Sequence, residues 1–141
     1  MKAYILINIV LLVALFSSQA IGQELNDQKD KENYVVLTKK IPQLAPIFLT
    51  AESLAIEDGD DFGKFEVIIC GQTVEELTDK KMMQDYIDKA KNANVELVIC
   101  GFSMKKFGVS REDISKELRI VENGILYNLQ LQKKGYTSIS I

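Results

Sequence analysis

The sequence predicts an α/β domain: a five-stranded parallel sheet with helices on both faces, flavodoxin-like in size and in its expected strand order of 2-1-3-4-5. Three observations lead there. Apolar runs of strand length alternate with one-sided helical stripes from Tyr34 to Ile141, the pattern of repeated β-α-β crossovers. Two of the runs, "FEVIIC" (Phe65–Cys70) and "VELVIC" (Val95–Cys100), are almost unbroken, as expected of strands buried on both faces. Glycine and turn-forming clusters separate most of the segments.

The elements follow in order. "YVVLTKK" (Tyr34–Lys40) has the β-branched and aromatic content of a first strand. Pro42 suggests a bend, and Pro46 suits the first turn of a helix. Ile47, Phe48, Ala51, Leu54 and Ala55 recur at helical spacing between Pro46 and Asp58. "EDGDDFGK" ends that helix and leads into "FEVIIC". A second stripe carries Met82, Met83, Tyr86, Ile87 and Ala90, with Lys80, Lys81, Asp85, Asp88, Lys89 and Lys91 on the opposite side. "VELVIC" is followed by a short apolar and basic turn, "FSMKKFG". Ser110 then offers an N-cap with Asp113 three residues on, similar to a capping box. "LRIVE" reads as a modest strand. Gly124 opens a last helix with Ile125, Leu126 and Leu129 on one side, Gly135 closes it, and "YTSISI" is the final strand.

Residues 1–22 have the layout of a secretory signal peptide. Lys2 precedes an uncharged apolar stretch from Tyr4 to Phe16, followed by small and polar residues. That stretch is shorter than the roughly 20 residues that span a bilayer, so no membrane anchor is expected after cleavage. Small residues allow cleavage after Ala20 or Gly22. The expected product is exported, periplasmic or secreted. Residues 23–33 form a polar lead-in, and residues 34–141 are long enough for one domain with a single core.

The formal charge is −3 and becomes one unit more negative when Lys2 is lost. The lysine pairs 39–40, 80–81, 105–106 and 133–134 are scattered rather than clustered. A nucleic-acid partner therefore has little electrostatic support. The chain has no histidine, which removes imidazole bases and imidazole metal ligands. Two isolated cysteines cannot build a four-cysteine zinc site, and no dinucleotide or Walker-type glycine loop occurs. Neither a metal nor an organic cofactor is implied. Thiol and carboxylate chemistry remain.

Cys70 and Cys100 each end an apolar strand just before a glycine. Three readings stay open. A disulfide needs Cα atoms within about 7 Å. In the 2-1-3-4-5 order the two strands flank a third and lie too far apart, whereas as neighbours they would permit a bridge. Burial as small hydrophobes is the commoner fate, and for Cys70, followed by Glu75 and Glu76, a structural role is expected. A reactive thiol suits Cys100 better. It sits where a strand turns into a helical segment whose free N–H groups favour a thiolate, with Lys105 and Lys106 nearby. Gly101 would leave room for an incoming sulfur.

"VELVICGFSMKKFGVSREDI" and "RIVENGILYNLQLQKKGYTSISI" resemble the DsrE/DsrF-like family of small sulfur-handling proteins. The shared features are Cys100 at the end of a strand, Gly108 and Val109 after a short basic helix, then Gly124, Leu129, Gln132, Gly135 and Tyr136 before the last strand. The resemblance implies a persulfide on Cys100 and on no other residue; Phe102 and Phe107 stand where the family usually has a small residue or Asn and an Arg. Gly101, Phe102, Lys105 and Gly108 are expected to support Cys100, with Phe102 and Phe107 shielding the intermediate from water. It also implies a homo-oligomer, with a sulfur donor and acceptor thiols as partners. The alternative expectation is a binding or interaction module without covalent chemistry, in which both cysteines are core residues.

Overall fold

The computed structural model describes residues 31–141. The signal-peptide reading of residues 1–22, and the lead-in as far as residue 30, lie outside the described residues.

The strands are β1 (Glu32–Thr38), β2 (Phe62–Ile69), β3 (Val95–Cys100), β4 (Arg119–Val121) and β5 (Thr137–Ser140). The helices are α1 (Leu44–Asp58), α2 (Lys80–Asn92), α3 (Gly101–Lys106) and α4 (Gly124–Lys133). All five strands join one parallel sheet. The expected class is therefore found. β1 begins two residues earlier than the sequence suggests, with Glu32 and Asn33 already in the strand.

The strand order is β4-β3-β2-β1-β5 rather than 2-1-3-4-5. Three successive crossovers step the chain one strand at a time in the same direction, from β1 to β4. Because such crossovers share one hand, their helices lie on one face. The chain then reverses: α4 carries it back across the opposite face to the free edge of β1. The consequence is that β2 and β3, the two strands that end in cysteine, are direct neighbours.

Two apolar layers result. On the α1–α3 face, Val67, Ile69, Leu97 and Ile99 of the sheet pack with Leu44, Phe48 and Ala51 of α1, Met83 and Ile87 of α2, and Met104 of α3. On the α4 face, Val35, Leu37, Ile68, Cys70, Val98 and Cys100 pack with Leu131. Ile68, Ile69 and Ile99 are fully buried, each worth about 1.5–3 kcal/mol in removal from water. The helix ends are set locally. The Asp79 side chain accepts the Met82 N–H at 2.9 Å at the start of α2, and Asn123 accepts those of Ile125 and Leu126 at 3.1 Å at the start of α4.

The crossover between β3 and β4 differs from expectation. Its helix is the six-residue α3, directly after Cys100, whereas the Ser110 capping box heads only a single 3-10 turn at Arg111–Asp113. Arg111 explains the stop. Its guanidinium donates to the carbonyls of Ser115, Lys116 and Leu118, which satisfies that backbone as a loop.

Candidate functional site

In the parallel register Ile69 faces Ile99, so the next step sets Cys70 beside Cys100 at the carboxyl ends of their strands. Parallel neighbours run about 4.8 Å apart, within the Cα range of about 4.4–6.8 Å that a disulfide accepts. Both cysteines are nevertheless free thiols. They point to the α4 face, and each is 4% exposed.

Hydrogen bonds converge on Cys100. The Gly124 N–H at the first position of α4 donates to its Sγ at 3.3 Å. Ser103 contributes its hydroxyl and its backbone N–H, and that hydroxyl is held by the Gly71 N–H, 2.8 Å from Oγ. The Cys70 thiol donates as well. Burial alone would raise the Cys100 thiol, but these donors outweigh it and leave the thiol below its ordinary value. Cys70 goes the other way. Burial pushes it up to about 12, reinforced by the charge on Cys100 and by the hydrogen bond that its own proton makes there, against a small opposing effect of Lys39. One thiol is thus poised to ionise while its neighbour keeps its proton.

Gly124 is what admits two sulfurs side by side. A Cβ at this position would stand 2.6 Å from Cys70 Sγ, 2.9 Å from Ile68 Cγ2 and 3.0 Å from Cys100 Cβ. The turn before it is fixed by the Phe102 N–H, which donates to the Glu122 carbonyl at 2.9 Å. Glu122 and Asn123 of that turn, with Val121 at the end of β4 and Phe102, Leu126 and Tyr127, line a cavity of about 290 Å³. A larger cavity of about 450 Å³ lies at the amino ends of β2 and β3, around Gly63, Lys64, Val95 and Glu96. It is about 16 Å along β3 from Cys100 and has no contact with the thiols.

The other residues singled out in the sequence take varied places. Gly101 does not open space for a sulfur, because a Cβ there would meet the Val121 and Glu122 carbonyls at 3.0 and 3.2 Å. Its small size lets the end of β4 close in. Phe102 is 54% exposed at the rim of the smaller cavity. Lys105 lies in the last turn of α3, and the donors that lower Cys100 do not include it. Lys106 covers the Phe107 ring at 5.5 Å. Gly108, with φ of +70°, terminates α3, and the Val109 N–H donates back to Met104 at 2.9 Å.

A second polar cluster lies on the same face, under α4. Glu66 is 3% exposed and accepts from Arg119 Nη2 at 2.5 Å, Tyr127 at 2.8 Å and Tyr136 at 3.5 Å. Arg119 also donates through Nε to Glu96 at 2.5 Å, and its guanidinium lies 5.0 Å from the Tyr127 ring centroid. Burial raises both tyrosine hydroxyls above their ordinary value. Sequence reasoning missed this cluster and also Ser103. A signal for the cluster existed: both buried-type runs, "FEVIIC" and "VELVIC", carry a glutamate at their second position, and the register pairs these two residues.

Comparison with known proteins agrees with this architecture. The solved structures that share the fold include two of proteins of unknown function. One, from Methanobacterium thermoautotrophicum, aligns with a TM-score of 0.58 and 16% identity, covering 79% of this chain and all of its own. The other, from Bacteroides thetaiotaomicron, gives 0.53 and 16%, covering 77% and 95%. No curated protein matches the sequence significantly. The model of the DsrE/DsrF-like family matches residues 65–140, a span that takes in both cysteines, Ser103 and Gly124. The chain belongs to the DsrE/DsrF-like family.

Proposed function

We propose that this protein carries sulfur as a persulfide on Cys100 and passes it to an acceptor thiol. The observation that carries this reading is the set of donors converging on Cys100 Sγ from Gly124, Ser103 and Cys70. They favour the thiolate, which is the form that attacks a sulfur donor. Once loaded, the outer sulfur is taken by an acceptor thiolate, returning Cys100 to its starting state. Because the thiol lies beneath Gly124, loading requires the turn at residues 122–124 to lift. The chemistry is that of a carrier without metal or organic cofactor, and its partners are a sulfur donor and an acceptor thiol.

Export belongs to the same proposal and rests on the N-terminal segment of the sequence. N-terminal sequencing of the protein from fractionated cells tests it: a start after Ala20 or Gly22 supports export, and an intact Met1 in the cytoplasm refutes it. Assembly into a homo-oligomer is proposed through the outer side of α4, where Ile125, Leu126 and Leu129 are about half or more exposed beside Phe102. Light scattering of the wild type against a Leu126→Glu variant tests that.

The burial of both cysteines favours a second reading, a binding or interaction module in which they are core residues. Incubation with a persulfide donor, followed by intact mass, separates the two. The carrier reading expects one added sulfur that survives in Cys70→Ser and is lost in Cys100→Ser. No added sulfur in any form, with both thiols unreactive until denaturation, would leave the binding module.

A further inference from the structure

We infer that Cys70 is a resolving cysteine: when no acceptor arrives, it attacks the Cys100 persulfide, releases the carried sulfur as hydrosulfide, and leaves a Cys70–Cys100 disulfide. This inference rests on the carrier reading of Cys100 and gives Cys70 a chemical role in place of the structural one expected from sequence.

The geometry supports it at three points. The two residues are consecutive to a paired register position on adjacent parallel strands and project to the same face, a separation that a disulfide spans without strand movement. The two side chains sit around one point, since the position of a Cβ on Gly124 lies 2.6 Å from Cys70 Sγ and 3.0 Å from Cys100 Cβ, near enough for each thiol to shift the ionisation of the other. Gly124 supplies the clearance, since any side chain there would occupy the space of the two sulfurs.

The step balances without an outside reagent. Cys100 starts as Sγ–S⁻ and Cys70 as a thiol. The Cys70 proton moves to the outer sulfur, and the Cys70 sulfur bonds to Cys100 Sγ. The bond from Sγ to the outer sulfur breaks, and that sulfur leaves with the electron pair as HS⁻. The sulfane sulfur is reduced, and the two cysteines together are oxidised. A dithiol reductant then returns the pair to two thiols by ordinary exchange. The proton held on Cys70 is therefore the one the departing sulfur requires, and it transfers as the bond from Sγ breaks and charge builds on the outer sulfur. An acceptor thiolate and Cys70 compete for the same persulfide, so the fate of the carried sulfur depends on which attacks first.

The test uses the full-length chain, reduced, desalted and loaded with inorganic polysulfide, with hydrosulfide measured over time and intact mass recorded in parallel. The wild type is expected to release one equivalent of HS⁻ and to finish two hydrogens lighter than the reduced protein, with a half-life independent of protein concentration. The Cys70→Ser persulfide should last about a hundredfold longer, a small part of what an oriented neighbour can supply. Equal persistence of the persulfide in wild type and Cys70→Ser would overturn the inference and leave the carrier reading standing. A half-life that shortens as protein concentration rises would likewise overturn it, by assigning the attack to a second molecule. Failure of Cys100 to take up sulfur in either form would overturn both. Cys70→Ala serves as the second variant, since it removes the thiol without adding a hydroxyl to an apolar layer.

Discussion

Replacing Gly124 by alanine probes the dithiol site through a single methyl group. The backbone there is not left-handed, so an ordinary glycine-to-alanine change at this place would stabilise by about 0.4–1 kcal/mol through the unfolded chain. The site reverses that sign. The new Cβ would lie 2.6 Å from Cys70 Sγ, 2.9 Å from Ile68 Cγ2 and 3.0 Å from Cys100 Cβ, and at least two of these contacts need movement of packed atoms. Overpacking of this kind costs about 1–3 kcal/mol, which leaves a net loss of about 1–2 kcal/mol after the gain is subtracted. In a domain of this size that corresponds to a fall in Tm of about 5–10 °C. Urea unfolding of wild type, Gly124→Ala, Cys70→Ala and the double variant gives the assay. Removing the Cys70 sulfur relieves the shortest contact, so the penalty should shrink by about 1 kcal/mol in the Cys70→Ala background, a coupling typical of residues in contact. A Gly124→Ala protein as stable as wild type, or one with the same penalty in both backgrounds, would refute the reasoning.

Three further outcomes are expected. Ser103→Ala removes a hydrogen bond from Cys100, so the thiolate absorbance of a Cys70→Ser protein should appear at higher pH when Ser103 is also changed; an unmoved titration would contradict the role given to that hydroxyl. In the folded state Cys70 keeps its proton to about 12, whereas the unfolded chain loses it near 8.5. The folded state binds more protons between those values, so stability falls as pH rises through that window. Cys70→Ser should flatten this alkaline limb in urea titrations, leaving the parts due to Tyr34, which its hydrogen bond to Asp58 raises to about 12, and to Tyr127 and Tyr136, which burial raises. Cys100 has the opposite sign, contributing stability that is present above the ordinary thiol value and lost as pH falls. Arg119→Met leaves the buried Glu66 carboxylate with two tyrosine hydroxyls only. Breaking a fully buried pair costs about 3–5 kcal/mol, and because Arg119 is 37% exposed a loss of about 2 kcal/mol is expected. Calorimetry showing less than about 1 kcal/mol, the range of surface pairs, would place this cluster among ordinary surface charges.

Much of the fold was legible because burial on both faces writes itself as unbroken apolar runs. Phe65–Cys70 and Val95–Cys100 needed little more than their own composition, and the α2 stripe placed Met83, Ile87 and Ala90 on the inner side, as found. Strand order was not legible. A chain of alternating strands and helices looks alike whether it reverses direction after its second strand or its fourth, and that choice decides whether Cys70 and Cys100 are neighbours. The same limit hid the donors to Cys100. Ser103 lies in a short turn of unremarkable sequence, and Gly124 is visible as a helix start but not as a residue seated on two sulfurs 24 and 54 positions away. Glu66 was obscured differently. One charge inside an apolar run passes for an exposed position until the register sets it beside Glu96 and within reach of Arg119.

The central claim is that Cys100 takes and holds a sulfur atom. Peptide mapping of the Cys70→Ser protein after exposure to a persulfide donor, with free thiols blocked before digestion, tests it most directly. One additional sulfur on the peptide that contains Cys100, lost on treatment with an acceptor thiol, is the predicted result. A Cys100 peptide that returns unmodified from native protein, and gains sulfur only after unfolding, would contradict it.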